Sequence, residues 1–211
     1  MRSHTILWLV VLVSVLLFAP LVVSSDDYKA TIGEEIDSAQ NWYGPGDATA
    51  IIGRADTIYR WLFVKTGVDF IIRDKLSSDL KPTEIAPGVA APKALTPYTR
   101  NVADYWSNFR SNLWLICYRV AVAVFWLLYL SPFVAATLFD GAMTRKAKLA
   151  SFKYTSPTVH SFSWHAAIGV LSITVVAFSL HFPLSVFAYP AAIAGMALLI
   201  RLVITNIQHS A

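Results

Sequence analysis

The sequence predicts an all-α membrane protein with about four transmembrane helices and a helical extracytoplasmic segment between the first two. The composition is the first observation. Of the 211 residues, 56% are hydrophobic and 14% are charged, with a mean hydropathy of +0.54, whereas soluble domains carry about a quarter charged residues. The second observation is that apolar residues form blocks: 6–24 contains no charge, 112–139 contains only Arg119, and 165–204 contains only Arg201. The third is block length, since roughly 20 apolar residues cross ~30 Å of hydrocarbon.

These blocks give four predicted spans. The last block is about twice the length that one crossing needs, and Phe182-Pro183 divides it with a tight turn. The spans therefore lie near residues 6–24, 112–138, 163–181 and 184–205. The corresponding regions are an anchor at 1–25, an extracytoplasmic segment at 26–111, a second span at 112–139, a basic loop at 140–162, a span hairpin at 163–205 and a tail at 206–211.

The first block has two interpretations. A basic start at Arg2, an apolar run, and the small residues Val23-Ser24-Ser25 are typical of a cleaved signal peptide. The apolar run is longer than the 7–15 residues usual for a signal peptide, which favours a retained anchor. Either outcome leaves residue 26 on the same side of the membrane.

The orientation follows from the basic loop. The loop carries Arg145, Lys146, Lys148 and Lys153 against a single acid, Asp140. Cytoplasmic loops are enriched in Lys and Arg, so the loop and both termini are expected to be cytoplasmic. The segment 26–111, with ten basic and twelve acidic residues, is then expected to be periplasmic. The four cations fix topology and contact lipid head groups, or they contact a cytoplasmic protein; we expect no sequence-specific nucleic-acid binding.

The outer segment is predicted to be helical with one extended part. Asp26 and Asp27 are expected to cap a helix with Tyr28, Ile32 and Ile36 on one face. The triplet Gly44-Pro45-Gly46 should break the chain, Asp47 should cap a second helix, and Gly67 should end it. Regular prolines from Pro82 to Pro97 favour an extended strap. Thr96-Pro97 then resembles a helix start that runs uninterrupted into the second span.

Four aromatic residues have two possible environments. Trp61, Phe63, Trp106 and Trp114 fall near the predicted membrane boundary or within the outer segment. Aromatic rings concentrate at head-group depth, so these residues lie at the membrane interface or form the core of a small helical lobe.

The sequence gives little indication of catalysis. It contains no Walker-type phosphate loop, no H-E-x-x-H and no G-x-S-x-G. The one cysteine, Cys117, lies inside a span, and no two histidines match in depth on facing spans, as haem would require. We therefore expect no enzyme activity, no catalytic residues, no metal and no cofactor.

Arg119 is the one charged residue well inside a predicted span. Such a residue is a functional candidate by default; alternatively it snorkels outward or pairs with an acid of the outer segment, such as Asp104. No acid lies in any predicted span, which excludes an ion pair within the spans on this interpretation. A channel or transporter is a further alternative, but the spans offer few polar residues to line a path.

Three stretches carry a resemblance to a known family. They are "YRWLFVKTG" at 59–67, Arg119 early in the second span, and "FDGAMTRKAK" at 139–148 followed by "YTSPTVHS". With these pieces the chain resembles bacterial inner-membrane proteins encoded by conjugative plasmids and integrating conjugative elements. It departs from them in "KLASFKYTSP", where similar proteins tend to have a glycine-rich basic loop.

The resemblance implies a non-catalytic part in DNA transfer by a type IV secretion machine. The partners it implies are other conjugation membrane proteins, the coupling ATPase, membrane lipid and further copies of the chain. Arg145, Lys146, Lys148 and Lys153 would then face the ATPase. A small inner-membrane protein of this kind is also compatible with entry exclusion, the blocking of redundant transfer.

Overall fold

The computed structural model describes residues 2–67, 70, 96–151 and 155–207. These residues form helices joined by turns, and the predicted all-α class is confirmed for the part of the chain described. The helices are α1 (Arg2–Val22), α2 (Ser25–Tyr43), α3 (Pro45–Tyr59), a π-helical turn (Arg60–Val64), α4 (Thr96–Ala150), α5 (Pro157–Phe178) and α6 (Ala188–Thr205).

Helix α2 begins with a reciprocal capping box. The Ser24 hydroxyl accepts the Asp27 N–H at 3.2 Å, and the Asp27 carboxylate accepts the Ser24 N–H at 3.3 Å. This arrangement satisfies two N-terminal donors that have no partner inside the helix. The sequence prediction of Asp26 and Asp27 as caps was therefore wrong in detail, because Ser24 is the N-cap and Asp27 is its partner three residues later.

The predicted break between α2 and α3 is confirmed, but it is confined to Gly44. Gly44 has φ +82°, a conformation that other residues adopt at a cost. Helix α3 then begins at Pro45, whose fixed φ suits a first helical position. Asp47 lies in the first turn of α3 rather than at the N-cap, so that assignment was wrong. Gly67, at φ +79°, ends the helical run as predicted; the proline strap lies outside the described residues.

Helix α4 starts at Thr96 as predicted and continues for 55 residues to Ala150. Pro132 lies inside it and lacks the N–H that would bond the Leu128 carbonyl. The Ser131 hydroxyl donates to that carbonyl at 2.8 Å and replaces the missing bond. The predicted loop at 140–162 is helical over its first half, because the residues after Gly141 favour helix and none is proline.

Within the described residues, three helices are long and apolar enough to cross a membrane. They are Tyr105–Ala150, Pro157–Phe178 and Ala188–Thr205, and Val13–Val22 is a shorter apolar helix. The membrane-spanning character is consistent with the prediction, while a first span and a total of four remain predictions. The hairpin helices begin at 157 and 188, against the predicted 163 and 184.

The chain divides into two compact units. Unit 1 comprises 1–121 and 178–184, and unit 2 comprises 122–177 and 185–211. In unit 1, Val23, Tyr28 and Leu115 form a buried cluster with Ile32 packed against it. Ala48, Ile51 and Ala55 bury the inner face of α3.

In unit 2, helices α4 and α6 approach closely at Gly141. A Cβ at this position would lie 3.3 Å from the Cα, Cγ and carbonyl oxygen of Arg201. Such a contact is tight and involves backbone, so a side chain there would push the two helices apart.

We expect Gly141→Leu to destabilise the protein by about 1–3 kcal/mol relative to Gly169→Leu, because only the first overpacks a helix contact. Gly169 in α5 has open space around its Cβ position and is the matched control. Both substitutions gain the same helix propensity, so thermal unfolding in detergent isolates the packing effect. Equal stabilities would contradict the close approach.

Candidate functional site

A buried ion pair joins α4 to α2 in unit 1. The Arg119 side chain is 0% exposed and the Glu35 side chain is 3% exposed. Arg119 Nη2 lies 2.6 Å from Glu35 Oε1, and Nε lies 3.1 and 3.3 Å from the two carboxylate oxygens. A buried charge needs a partner of this quality, because desolvation of an unpaired guanidinium is very costly.

The remaining Arg119 donors bind backbone carbonyls at the end of α5 and in the turn that follows it. Nη1 donates to the carbonyl of Phe178 at 3.0 Å and to that of Leu180 at 2.5 Å, and Nη2 donates to that of Phe182 at 2.7 Å. The last carbonyls of a helix have no partner inside it, and a cation is favourable at that end. With Glu35, these acceptors account for all five N–H donors of the guanidinium.

Three further hydrogen bonds hold α2 against α4 or against the turn at residues 178–184. Glu35 Oε1 accepts the Leu184 N–H at 2.9 Å, and the Thr31 hydroxyl donates to the His181 carbonyl at 2.5 Å. The Tyr118 hydroxyl donates to the Glu35 carbonyl at 3.3 Å. Residues 178–184 are thus held by α2 and α4 through several independent bonds. We call Arg119, Glu35, Thr31 and 178–184 the Arg119 site.

The partner of Arg119 differs from the sequence prediction. The suggestion of an acid from the outer segment was right in kind, but the acid is Glu35 rather than Asp104. The exclusion of an ion pair between two residues of the apolar blocks is not contradicted, because Glu35 lies in the outer segment. The guanidinium has no donor left for a ligand, so this arrangement serves to hold structure together.

The buried face of α2 is also shifted from the prediction. The face consists of Tyr28, Thr31, Glu35 and Ala39, each at most 5% exposed, whereas Ile32 and Ile36 are half-buried. The spacing of three and four residues was visible in the sequence. The polar members Thr31 and Glu35 concealed it, because their partners lie more than 80 residues away.

Tyr28 lies in this buried face, close enough to Arg119 for the charge of the guanidinium to affect the pKa of its phenol. Burial raises the pKa of Tyr28 to about 12, and the positive charge of Arg119 opposes that rise. Its hydroxyl has no hydrogen-bond partner among the described residues. The phenol therefore stays neutral throughout the physiological pH range.

Trp114 connects α4 to α3. Its Nε1–H donates to Asp56 Oδ1 at 2.8 Å, and its ring stacks on Tyr118 at a centroid distance of 5.7 Å. Trp106 lies about two turns earlier, edge-on to Phe109 at a centroid distance of 5.7 Å. Both tryptophans are half-buried.

The other two predicted aromatics lie around the π-helical turn. Trp61 is 63% exposed, while Phe63 is half-buried and contacts the Tyr59 ring at 5.3 Å. The exposure of Trp61 favours the membrane-interface alternative over a lobe core, and that interface position stays a prediction.

Two asparagines that the sequence analysis missed lie on the inner face of α4. Asn108 Nδ2 donates to the carbonyls of Val23 at 2.9 Å and Pro20 at 3.3 Å, at the end of α1. Asn112, one turn later, is 0% exposed, and neither of its amide atoms has a partner among the described residues. Two asparagines four residues apart at the entry to an apolar block are the signal that could have found them.

Residues 140–150 of the predicted basic loop are the last part of α4 in unit 2, and residues 157–162 of it are the first part of α5. Arg145 is half-buried, and its Nε is buried with no partner in the described chain. Lys146 is exposed, whereas Lys148 is half-buried and donates to Asn206 Oδ1 at 3.2 Å. Lys153 lies outside the described residues.

Neighbouring polar groups of unit 2 are already engaged. Arg201 pairs with Asp140, and His160 Nδ1 lies 3.2 Å from the Val203 carbonyl. In the described ranges, no three His, Cys, Asp or Glu side chains group as a metal ion would require.

One comparison with known proteins gives a family. A family model described as "IncC plasmid conjugative DNA transfer protein DtrJ-like" matches residues 34–210. The match includes Glu35, Arg119, residues 178–184 and the basic end of α4. No curated protein and no solved structure matches the chain. The predicted resemblance to conjugative-transfer proteins is confirmed at the level of the family.

We expect Arg119→Met to destabilise the protein by about 3–5 kcal/mol, because it leaves Glu35 and three carbonyls buried without their donor. Glu35→Gln should cost a similar amount, because it leaves the guanidinium buried without a counter-charge although the carbonyl bonds remain. Arg201→Met is the matched control, because it removes a partly exposed ion pair worth about 0–1 kcal/mol. Thermal unfolding in detergent measures all three, and similar losses for the two arginine variants would contradict the role of the Arg119 site.

We expect opposite effects from two further α4 variants. Asn108→Leu leaves the Val23 and Pro20 carbonyls without their donor and should cost about 1–3 kcal/mol. Asn112→Leu removes two buried polar groups that have no partner and should be neutral or stabilising. Thermal unfolding in the same detergent separates them. A large loss from Asn112→Leu would show that its amide is hydrogen-bonded in the membrane-embedded protein.

Proposed function

We propose that this chain, which belongs to the DtrJ-like family of IncC plasmid conjugative DNA transfer proteins, is a non-catalytic scaffold in the inner membrane for the transfer apparatus. The match over residues 34–210 is the observation that carries the role in conjugative DNA transfer. The scaffold role is our inference from the way the chain uses its polar groups.

The polar groups of the candidate spans support a scaffold rather than a channel. Ser131, Thr137 and Thr174 donate their hydroxyls to carbonyls of their own helices. All five N–H donors of Arg119 bind either the Glu35 carboxylate or the backbone carbonyls of residues 178–182. These groups therefore offer few hydrogen-bond donors to a solute or a proton along a transmembrane path. The bonds of the Arg119 site hold helices together.

The basic end of α4 supports a contact with a cytoplasmic partner. By the positive-inside rule this end lies in the cytoplasm, and residues 26–111 lie in the periplasm. Lys146 is exposed and free to meet an acidic surface. In our proposal the cluster of Arg145, Lys146, Lys148 and Lys153 lies toward the coupling ATPase of the type IV secretion machine, with exposed Lys146 as its described contact. Other membrane proteins of that machine contact the helices.

We expect reversal of these four charges to Glu to reduce DNA transfer about tenfold or more, because like charges across an interface are strongly unfavourable. The measurement is transfer frequency from a donor that lacks the chromosomal or plasmid copy and carries the variant. The matched control exchanges each Arg for Lys and each Lys for Arg, which preserves the charge.

A topology reporter at the C-terminus and quantification in the membrane fraction show whether each variant inserts normally. Normal insertion with unchanged transfer would contradict the ATPase contact. Deletion in the donor separates transfer from entry exclusion: loss of transfer supports the scaffold, whereas a gain of repeated uptake with normal transfer would replace it with exclusion.

A further inference from the structure

Unit 2 contains an apolar cavity of about 280 Å³ bounded by α4, α5 and α6. Its lining includes Leu127, Leu138, Val170, Thr174, Met196 and Ile200. Thr174 is the polar member of this set, and its hydroxyl donates to the Val170 carbonyl at 2.8 Å. The cavity therefore offers no hydrogen-bond donor to an occupant from this set and suits a hydrocarbon chain.

Cations lie just beyond one end of the cavity. Leu138 and Ile200 line it. Gly141, three residues after Leu138, packs against Arg201, which directly follows Ile200. Arg145 and Lys148 follow Gly141 at four and seven residues, the spacing that keeps them on the same face of α4. Arg145 is about 10 Å beyond Leu138 along the helix axis at 1.5 Å per residue.

The positive charge of Arg145 and Lys148 is available to an anion. Arg201 is neutralised by Asp140, so it adds no net charge. The buried Arg145 Nε has no acceptor among the described residues, and Lys148 donates to the neutral amide of Asn206. A buried donor without an acceptor is costly, and a phosphate oxygen would supply the acceptor.

The size of the cavity selects a slender occupant. A partner helix is about 10–12 Å across with its side chains, wider than a single acyl chain, and the cavity holds about 280 Å³. An acyl chain enters such a space, whereas a partner helix would only cover its opening. The head-group layer is about 5–8 Å thick, so a phosphate above a chain in the cavity reaches the depth of Arg145.

We propose that unit 2 binds one anionic phospholipid, with an acyl chain in this cavity and the phosphate at Arg145 and Lys148. Basic pockets between transmembrane helices at the cytoplasmic side recognise anionic head groups in this way. The inference goes beyond the proposed scaffold role and does not depend on the ATPase contact. Within the basic end, it assigns Arg145 and Lys148 to lipid and leaves Lys146 to a protein partner.

The test is binding of dioleoyl phosphatidylglycerol to the purified full chain, with dioleoyl phosphatidylcholine as the zwitterionic lipid of equal chain length. Native mass spectrometry measures retained lipid, and thermal unfolding measures stabilisation. We expect a preference for phosphatidylglycerol that falls roughly tenfold or more in Arg145→Gln/Lys148→Gln. Lys146→Gln is the matched control, which removes one neighbouring exposed charge and should leave the preference intact.

A cavity-filling variant tests the acyl chain. Ala192→Phe, at a lining position, should reduce retention of both lipids if a chain occupies the cavity. Equal losses in Lys146→Gln and Arg145→Gln/Lys148→Gln would overturn the site in favour of general surface attraction. Undiminished binding by Ala192→Phe, or a change in oligomeric state without lipid binding, would overturn the acyl-chain assignment. None of these readouts involves DNA transfer. A negative result would therefore overturn the lipid site without bearing on the scaffold proposal.

Discussion

The burial of Arg119 is the constraint on which unit 1 depends. A guanidinium with no solvent contact must have a counter-charge and acceptors for five N–H groups. Glu35 supplies the charge, and residues 178–184 supply the carbonyls. One side chain therefore fixes where α2 packs, where α5 ends and how the following turn folds. The capping of α2 and the contact of Trp114 with α3 complete the packing around it.

The sequence predicted the parts of this fold that local patterns encode. The apolar blocks, the break at Gly44 and the start of α4 at Thr96 all depend on neighbouring residues. Two features were missed for opposite reasons. Glu35 has no local sign of its role, because its partners are separated from it by 84 residues or more. At Gly141 the local sequence suggests the wrong structure, because glycine usually weakens a helix. Here it lies inside α4, where the absence of a side chain allows Arg201 to approach.

Five described cations of α4 and α6 divide into two groups with different roles. Arg119 and Arg201 are paired with acids and serve packing. Among the described residues, Arg145, Lys146 and Lys148 form no ion pair with an acid, and they supply net positive charge at the end of α4. Sequence analysis could identify the second group by its clustering but could not divide it, because only the structure distinguishes half-buried Arg145 and Lys148 from exposed Lys146.

The position of the Arg119 acceptors along the chain has a consequence for biogenesis. Glu35 leaves the ribosome 84 residues before Arg119, but the carbonyls that complete the guanidinium follow it by 59–63 residues. A nascent chain that ends before residue 182 holds the carboxylate and lacks part of the acceptor set. Assembly of unit 1 must therefore wait until synthesis has passed α5, and the N-terminal half of the protein matures only after most of the C-terminal half has been made.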